Sequence, residues 1–176
     1  MADADRLFHT YHAPLVRYLT RRLGDRDWAE EVAQETFLRA LRQETIVNER
    51  AWLFAVATNL VRDEARTQAR RRRHLALLAE EEREAVAEQP VTSMERAQEA
   101  ALARRAVESL AERDRLALLM REEGLDYPEI AEALGLSAGS IGTTLARARR
   151  RLAETYEAMQ RAADAREARG GTYGRS

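Results

Sequence analysis

Thr143, Arg147, Arg149, Arg150 and Arg151 crowd one short stretch near the end of the chain. A hydroxyl and a guanidinium one helical turn apart can bond base edges or touch a thymine methyl. Arginines beside them can hold phosphates, contacts that position a protein on DNA without specifying sequence. A second set, Trp52, Asn59, Arg62 and Arg66, falls on one side of a helix at roughly 100° per residue. That side offers an aromatic ring and hydrogen-bonding groups where a single strand would be held. Enzyme chemistry lacks its parts. His9, His12 and His74 are the only histidines, cysteine is absent, and neither a nucleophile with its base nor a glycine-rich phosphate loop occurs. His9 and His12 can meet on one helix face, but a lone pair without further ligands is the mark of surface or packing histidines rather than of a metal site. No catalytic residue, metal or cofactor is expected.

The elements that must position these groups read as helices throughout. Ala, Leu, Arg and Glu dominate, and the few Gly and Pro residues are concentrated at a few points. Asp5 to Leu23 repeats Leu7, Phe8, Tyr11, Leu15, Tyr18 and Leu19 at helical spacing, with Pro14 predicting a kink or restart. Gly24 ends that helix, and Asp25 or Asp27 can cap a second, whose inner stripe is Ala29, Val32, Ala33, Thr36, Phe37, Ala40 and Leu41. The other face of this second helix is acidic: Asp27, Glu30, Glu31, Gln34 and Glu35. A loop from Gln43 to Val47 leads to Asn48, a cap for a long third helix with Leu53, Val56, Ala57 and Leu60 inside.

Apolar periodicity lapses from Glu80 to Ser93, around Pro90, and a domain boundary is placed there. Ser93 can cap a fourth helix with Leu102, Ala103, Ala106, Val107 and Leu110 inside, and Leu116, Leu119 and Met120 carry the next, stopped by Gly124. Asp126 and Glu129 then have capping-box spacing around Pro128. Ile130, Ala131 and Leu134 point inward, Gly135 suits a left-handed cap, Leu136 fills a corner and Ser137 caps the following helix. This is the grammar of a helix-turn-helix. Its second helix buries Ile141, Leu145, Ala148 and Leu152 and leaves Gly142, Thr143, Ala146, Arg147, Arg149 and Arg150 at least partly outward, as a helix lying in a major groove would, with Ser140 a further candidate for the upstream DNA contact.

The fold class is therefore all-α: two small helical domains joined by a flexible linker, the C-terminal one a helix-turn-helix. The expected boundaries are 1–79, a linker at 80–93, 94–160, and a helix extension with a Gly-containing tail at 161–176. A net charge of −1 hides segregation, with acids around Asp25 to Glu35 and Glu80 to Glu88 and arginines at Arg70 to Arg73 and Arg147 to Arg151. Every basic residue is Arg, which suits bidentate contacts, though a GC-rich coding bias explains the same fact more simply. Asp3, Asp5 and Arg6 precede any apolar run, and no stretch is long enough to span a membrane, so a cytoplasmic protein without membrane contact is expected.

A helix-turn-helix alone does not name a function. The segment Trp28-Ala-Glu-Glu-Val-Ala-Gln-Glu-Thr-Phe-Leu-Arg-Ala-Leu41 resembles the helix by which bacterial sigma factors dock on core RNA polymerase. Ala51-Trp-Leu-Phe-Ala-Val-Ala-Thr-Asn-Leu-Val-Arg-Asp63 is similar to their promoter-melting helix. The resemblance covers about Leu7 to Arg73 and Leu102 to Tyr156, and the lack of an intervening domain is that of the extracytoplasmic-function (ECF) subfamily. It implies an alternative sigma factor whose partners are the β and β′ subunits of core polymerase, promoter DNA and an anti-sigma factor. Glu31, Gln34 and Glu35 would contact polymerase. The loop Gln43 to Asn48 resembles the family's pocket for a base flipped from the minus-ten element, with Asn59, Arg62 and Arg66 near the separated strand. Trp52 offers either a stacking surface for that strand or ordinary packing at the domain edge, and the Arg70 to Arg73 run either a phosphate contact or a solvated helix end. Glu80 to Glu88 would belong to the linker that threads the transcript channel. At Gly142 and Thr144 the family usually carries basic residues, so the groove-facing centre here reads as small and nearly neutral. The competing reading is a helix-turn-helix regulator that acts on DNA without replacing the sigma factor.

Overall fold

The computed structural model describes residues 4–76 and 94–170, with side chains described for 5–66 and 97–166. Among these there are seven helices and no strand: α1 (Ala4–Leu23), α2 (Arg26–Leu41), α3 (Glu49–Ala76), α4 (Met94–Glu108), α5 (Glu112–Glu122), α6 (Tyr127–Leu134) and α7 (Ala138–Gly170). The expected linker at 80–93 with its acidic run, the Ser93 cap, the side chains of Arg70 to Arg73 and His74, and the tail after Gly170 lie outside the described residues.

The described residues gather into two compact units, 4–76 with Leu119–Gly142 and 94–118 with 143–170. In the first, α1, α2 and α3 pack on one another. Asp25 accepts the Trp28 amide at 3.0 Å and starts α2, and Asn48 Oδ1 accepts the Ala51 amide at 3.3 Å and starts α3. Each satisfies a backbone donor that a helix start leaves unpaired. Gly24, at φ +73°, makes the turn before Asp25 that a Cβ would strain. The core holds Leu7, Leu15, Tyr18 and Leu19 of α1, Ala29, Ala33 and Phe37 of α2, and Leu53, Phe54 and Ala57 of α3.

Of the two outcomes expected at Pro14, a restart is ruled out, since α1 runs from Ala4 to Leu23 with Pro14 inside it. Two expectations are corrected. Leu41 does not join the inner stripe of α2 but is 45% exposed, because the core beneath the end of α2 closes on Ala40. In α3 the fully buried stripe is Ala51, Leu53, Phe54, Ala57, Thr58 and Val61, with Val56 and Leu60 only half-buried at its edge. Thr58 belongs inside because its Oγ1 lies 2.8 Å from the Tyr18 hydroxyl, so two buried polar groups satisfy each other.

The helix-turn-helix grammar is realised bond for bond at α6. The Glu129 amide donates to Asp126 Oδ1 and the Asp126 amide to Glu129 Oε2, both at 2.8 Å, which closes a capping box. Gly135 takes the left-handed conformation, φ +66°, and the Leu136 amide reaches back to the Ala131 carbonyl at 2.8 Å. In the second unit Leu110, Leu118 and Ala148 form a buried cluster with Leu152 packed on it. Ala103, expected inside, is exposed beside an open apolar groove lined by Val107, Leu152, Ala153 and Tyr156.

Candidate functional site

Three surfaces carry the residues singled out by the sequence. On α2, Glu31 and Gln34 are exposed, and Glu35 is half-buried and bonded to Arg39 Nε at 2.8 Å across one turn. Leu38 (50% exposed) and Leu41 lie on the same stripe, since residues three, four and seven apart share a helix face. An acidic patch ending in uncovered leucines is an unusual surface for water alone. The leucines escaped the sequence reading because an apolar residue at helical spacing is normally assigned to the core. Glu30, at the flank, is engaged otherwise: it bonds His12 Nε2 at 3.0 Å, while His9 lies 3.4 Å from Asp5. His12 stacks on Phe8 with ring centroids 4.3 Å apart. The two histidines thus serve separate contacts rather than one ligand set. Among the described residues no group of three or more His, Cys, Asp or Glu stands together.

On α3, Trp52 and Asn59 line an open cavity of about 280 Å³ with Val56, Arg39, Arg42 and Gln43. An indole face, an amide and two guanidinium groups around one opening can stack a base and hold its edge and phosphate. Arg39 and Arg42 are additions to the expected set. They come from the end of α2, and only the packing of α2 on α3 brings them to Trp52. Further along α3, Arg62 is half-buried, and Arg66 is exposed and 3.7 Å from Asp63. The structure therefore joins Trp52 to Asn59 and leaves Arg62 and Arg66 one and two turns beyond.

On α7, Thr143, Ala146, Arg147 and Arg150 share one face, and Thr143, Ala146 and Arg150 are exposed. Arg149 sits apart on the flank, where it lines the apolar groove with Leu152 and Tyr156. Ser140 is half-buried and bonds the Ser137 carbonyl through Oγ at 2.7 Å. Thr144 is buried rather than groove-facing, so the neutral centre of the helix narrows to Gly142 and Thr143.

Arg147 is not an idle arm. Its Nε and Nη2 donate to the two carboxylate oxygens of Asp114 at 2.8 and 2.5 Å. Asp114 has a side chain only 3% exposed, and the Arg147 guanidinium holds its carboxyl below the ordinary range, against a smaller opposing effect of burial. The same pairing raises the Arg147 guanidinium above its already high value. This bidentate bond ties α5 to α7, and nothing in the local pattern around either residue announces it.

Residues 7–71 match the family model for sigma-70 region 2, and residues 100–152 match that for sigma-70 region 4. The ferric citrate uptake sigma factor FecI of Escherichia coli strain K12 is 32% identical over 157 residues, covering 81% of this chain and 84% of that protein. The ECF RNA polymerase sigma factor BldN of Streptomyces coelicolor is 33% identical over 161 residues, covering 86% of this chain and 60% of that protein. Among solved structures, the sigma factor RpoE in complex with the anti-sigma factor NepR from Bartonella quintana has a TM-score of 0.67 at 22% identity, covering 89% of this chain and 98% of that one.

Proposed function

The chain belongs to the ECF subfamily of bacterial RNA polymerase sigma factors, and from that premise we propose how its three surfaces divide the work of initiation. It is an alternative sigma factor, a subunit that binds core polymerase and directs it to promoter DNA. The observation that carries this is the presence of regions 2 and 4 in one chain, which a helix-turn-helix regulator acting beside the resident sigma factor does not need.

In this reading Glu31, Gln34 and Glu35 dock on core polymerase, with Leu38 and Leu41 supplying the apolar part of the contact. The cavity of Trp52, Asn59, Arg39 and Arg42 captures an unstacked base of the minus-ten element, with Arg62 and Arg66 following the strand. Unstacking a base costs a few kcal/mol, which contacts available only to the open strand offset. On α7, Thr143 and Ala146 face the upstream element, Arg150 meets phosphate, and Ser140 and Arg149 flank the groove contact. Arg147 reaches a base only by giving up Asp114. The functional domains are 1–79 and 94–160, joined by 80–93. The protein acts by binding rather than by catalysis, in the cytoplasm where polymerase is; no described helix is long and apolar enough to cross a membrane. An anti-sigma factor is a partner of the kind that the RpoE relative carries in its complex.

The test is reconstitution. Purified chain added to core polymerase free of other sigma factors, with genomic promoter DNA, should give specific initiation. Absence of both initiation and polymerase binding would overturn the proposal in favour of an independent DNA-binding regulator.

A further inference from the structure

Arg147 and Arg150 share the outer face of α7, yet the two cations are held very differently. Arg150 Nε stands 4.0 Å from Glu154, with side chains 71% and 67% exposed. A pair so open to water is screened and contributes little, so Arg150 can pass to a DNA phosphate at almost no loss. Arg147 instead gives Nε and Nη2 to the two carboxylate oxygens of Asp114, whose side chain is 3% exposed. Bidentate, charge-assisted bonds are the strong kind.

The carboxylate is fixed in charge as well as in place. Asp114 lies in the first turn of α5, where a helix start favours negative charge. Arg147 first, and Arg151 and Arg113 more weakly, hold its carboxyl below the ordinary range against the effect of burial, so it is ionised at neutral pH. A DNA phosphate offers Arg147 the same bidentate acceptor, but taking it strands a desolvated carboxylate beside the DNA. The exchange is unfavourable. Cations given to phosphates supply binding that carries no sequence information, so withholding one lowers affinity for every DNA alike. Non-specific sites are in great excess, and a weaker pull toward them leaves more of the free chain available to polymerase.

We propose that Asp114 is a positioning residue for DNA binding: an internal carboxylate that occupies Arg147 in place of a backbone phosphate, so that α7 enters the groove with one cation withheld. The proposal rests on the sigma-factor reading for the promoter concerned, and it adds a residue of α5, outside the helix-turn-helix, to the groups that set DNA affinity. Neutralising the acid then does the opposite of ordinary damage. A loosened fold binds DNA more weakly, whereas a released Arg147 binds it more tightly.

Asp114→Asn keeps the shape of the side chain and removes its charge. Affinities of the full-length chain, alone and with core polymerase, are measured on a promoter duplex and on a random-sequence duplex across a salt series. The variant should bind both duplexes about fivefold more tightly near about 0.1 M salt, with a log–log salt slope steeper by about 1. Unchanged or weaker binding overturns the proposal, and so does a gain confined to promoters with one particular base pair, which would make Arg147 a base-reading arm. Asp114→Asn with Arg147→Gln removes both charges and orphans neither, and should return affinity and slope to wild type. A double variant that keeps the gain, or whose slope is shallower than wild type by about 1, also overturns it. Should Asp114→Asn fail to fold, the slope of the double variant decides alone. If wild type bound to polymerase shows no preference for promoter over random duplex, the sigma-factor reading fails instead, and the random duplex still decides the role of Asp114.

Discussion

Arg147 and Asp114 are joined by two hydrogen bonds, and this pair decides how the recognition helix should be probed. A nearly buried carboxylate stripped of its bidentate partner is a structural lesion. Arg147→Ala should therefore lower the melting temperature and weaken DNA binding for all sequences alike. Thermal melts beside affinities for a small set of altered promoters check this. A relaxed preference at one base pair with unchanged melting would show that Arg147 leaves Asp114 to read DNA.

The same pair sets a pH dependence. The folded-state carboxyl of Asp114 is depressed from its ordinary value of 3.8. Its contribution is thus fully present above that value and is lost as pH falls through the lower folded value. Asp114→Asn should melt below wild type by a constant margin above about pH 5, and the margin should shrink as the pH falls below about 4. A margin independent of pH would mean that the carboxylate charge does not stabilise the fold.

In the first unit, Tyr18 and Thr58 share the one buried side-chain hydrogen bond between α1 and α3 that the described residues show. Burial pushes the Tyr18 phenol above its usual value, so it stays neutral and polar at any working pH. Tyr18→Phe should cost about 1–3 kcal/mol by orphaning the threonine hydroxyl, whereas Tyr18→Phe with Thr58→Val should cost less than the sum of the singles. Urea unfolding of the four proteins gives the cycle. Strict additivity would mean that the hydroxyls are not coupled.

Much of this was legible in the chain because its grammar is local. Asp126, Glu129, Gly135 and Leu136 specify their turn through bonds spanning three to five residues, and each is found where spacing put it. What was not legible is set by packing between distant segments. The buried stripe of α3 includes Phe54 and Thr58 because α1 presents Tyr18 to both: its ring lies 5.0 Å from Phe54. Arg147 has an obvious DNA role by position and acquires Asp114 from 33 residues away. Arg39 and Arg42 reach the Trp52 cavity only through the α2–α3 contact. Composition records such residues without saying what they will face.

The α2 surface makes a separable prediction, since its members touch solvent. Glu31→Lys and Leu38→Ala should each leave stability within about 0.5 kcal/mol of wild type. Each should weaken core polymerase binding, Leu38→Ala by about tenfold if it fills an interface pocket. The charge reversal should weaken binding most at low salt. Unchanged affinity for both variants would remove this face from the docking surface.

The Trp52 cavity separates strand capture from polymerase docking. A half-buried indole at an open cavity can stack a base on its free face, a contact worth about 1–3 kcal/mol per base. Trp52→Ala should shorten the lifetime of open promoter complexes by about thirtyfold, the middle of that range, while affinity of the free chain for core polymerase stays the same. Trp52→Phe, which keeps an aromatic face, should recover most of the lifetime. Arg42→Ala should reduce it more at low salt than at high salt, because a phosphate contact is screened and a stacking contact is not. Permanganate reactivity of unpaired thymines, followed over time after a competitor is added, measures the lifetime. An equal loss with Trp52→Phe and Trp52→Ala would assign Trp52 to packing at the edge of α3 and leave the strand to the arginines.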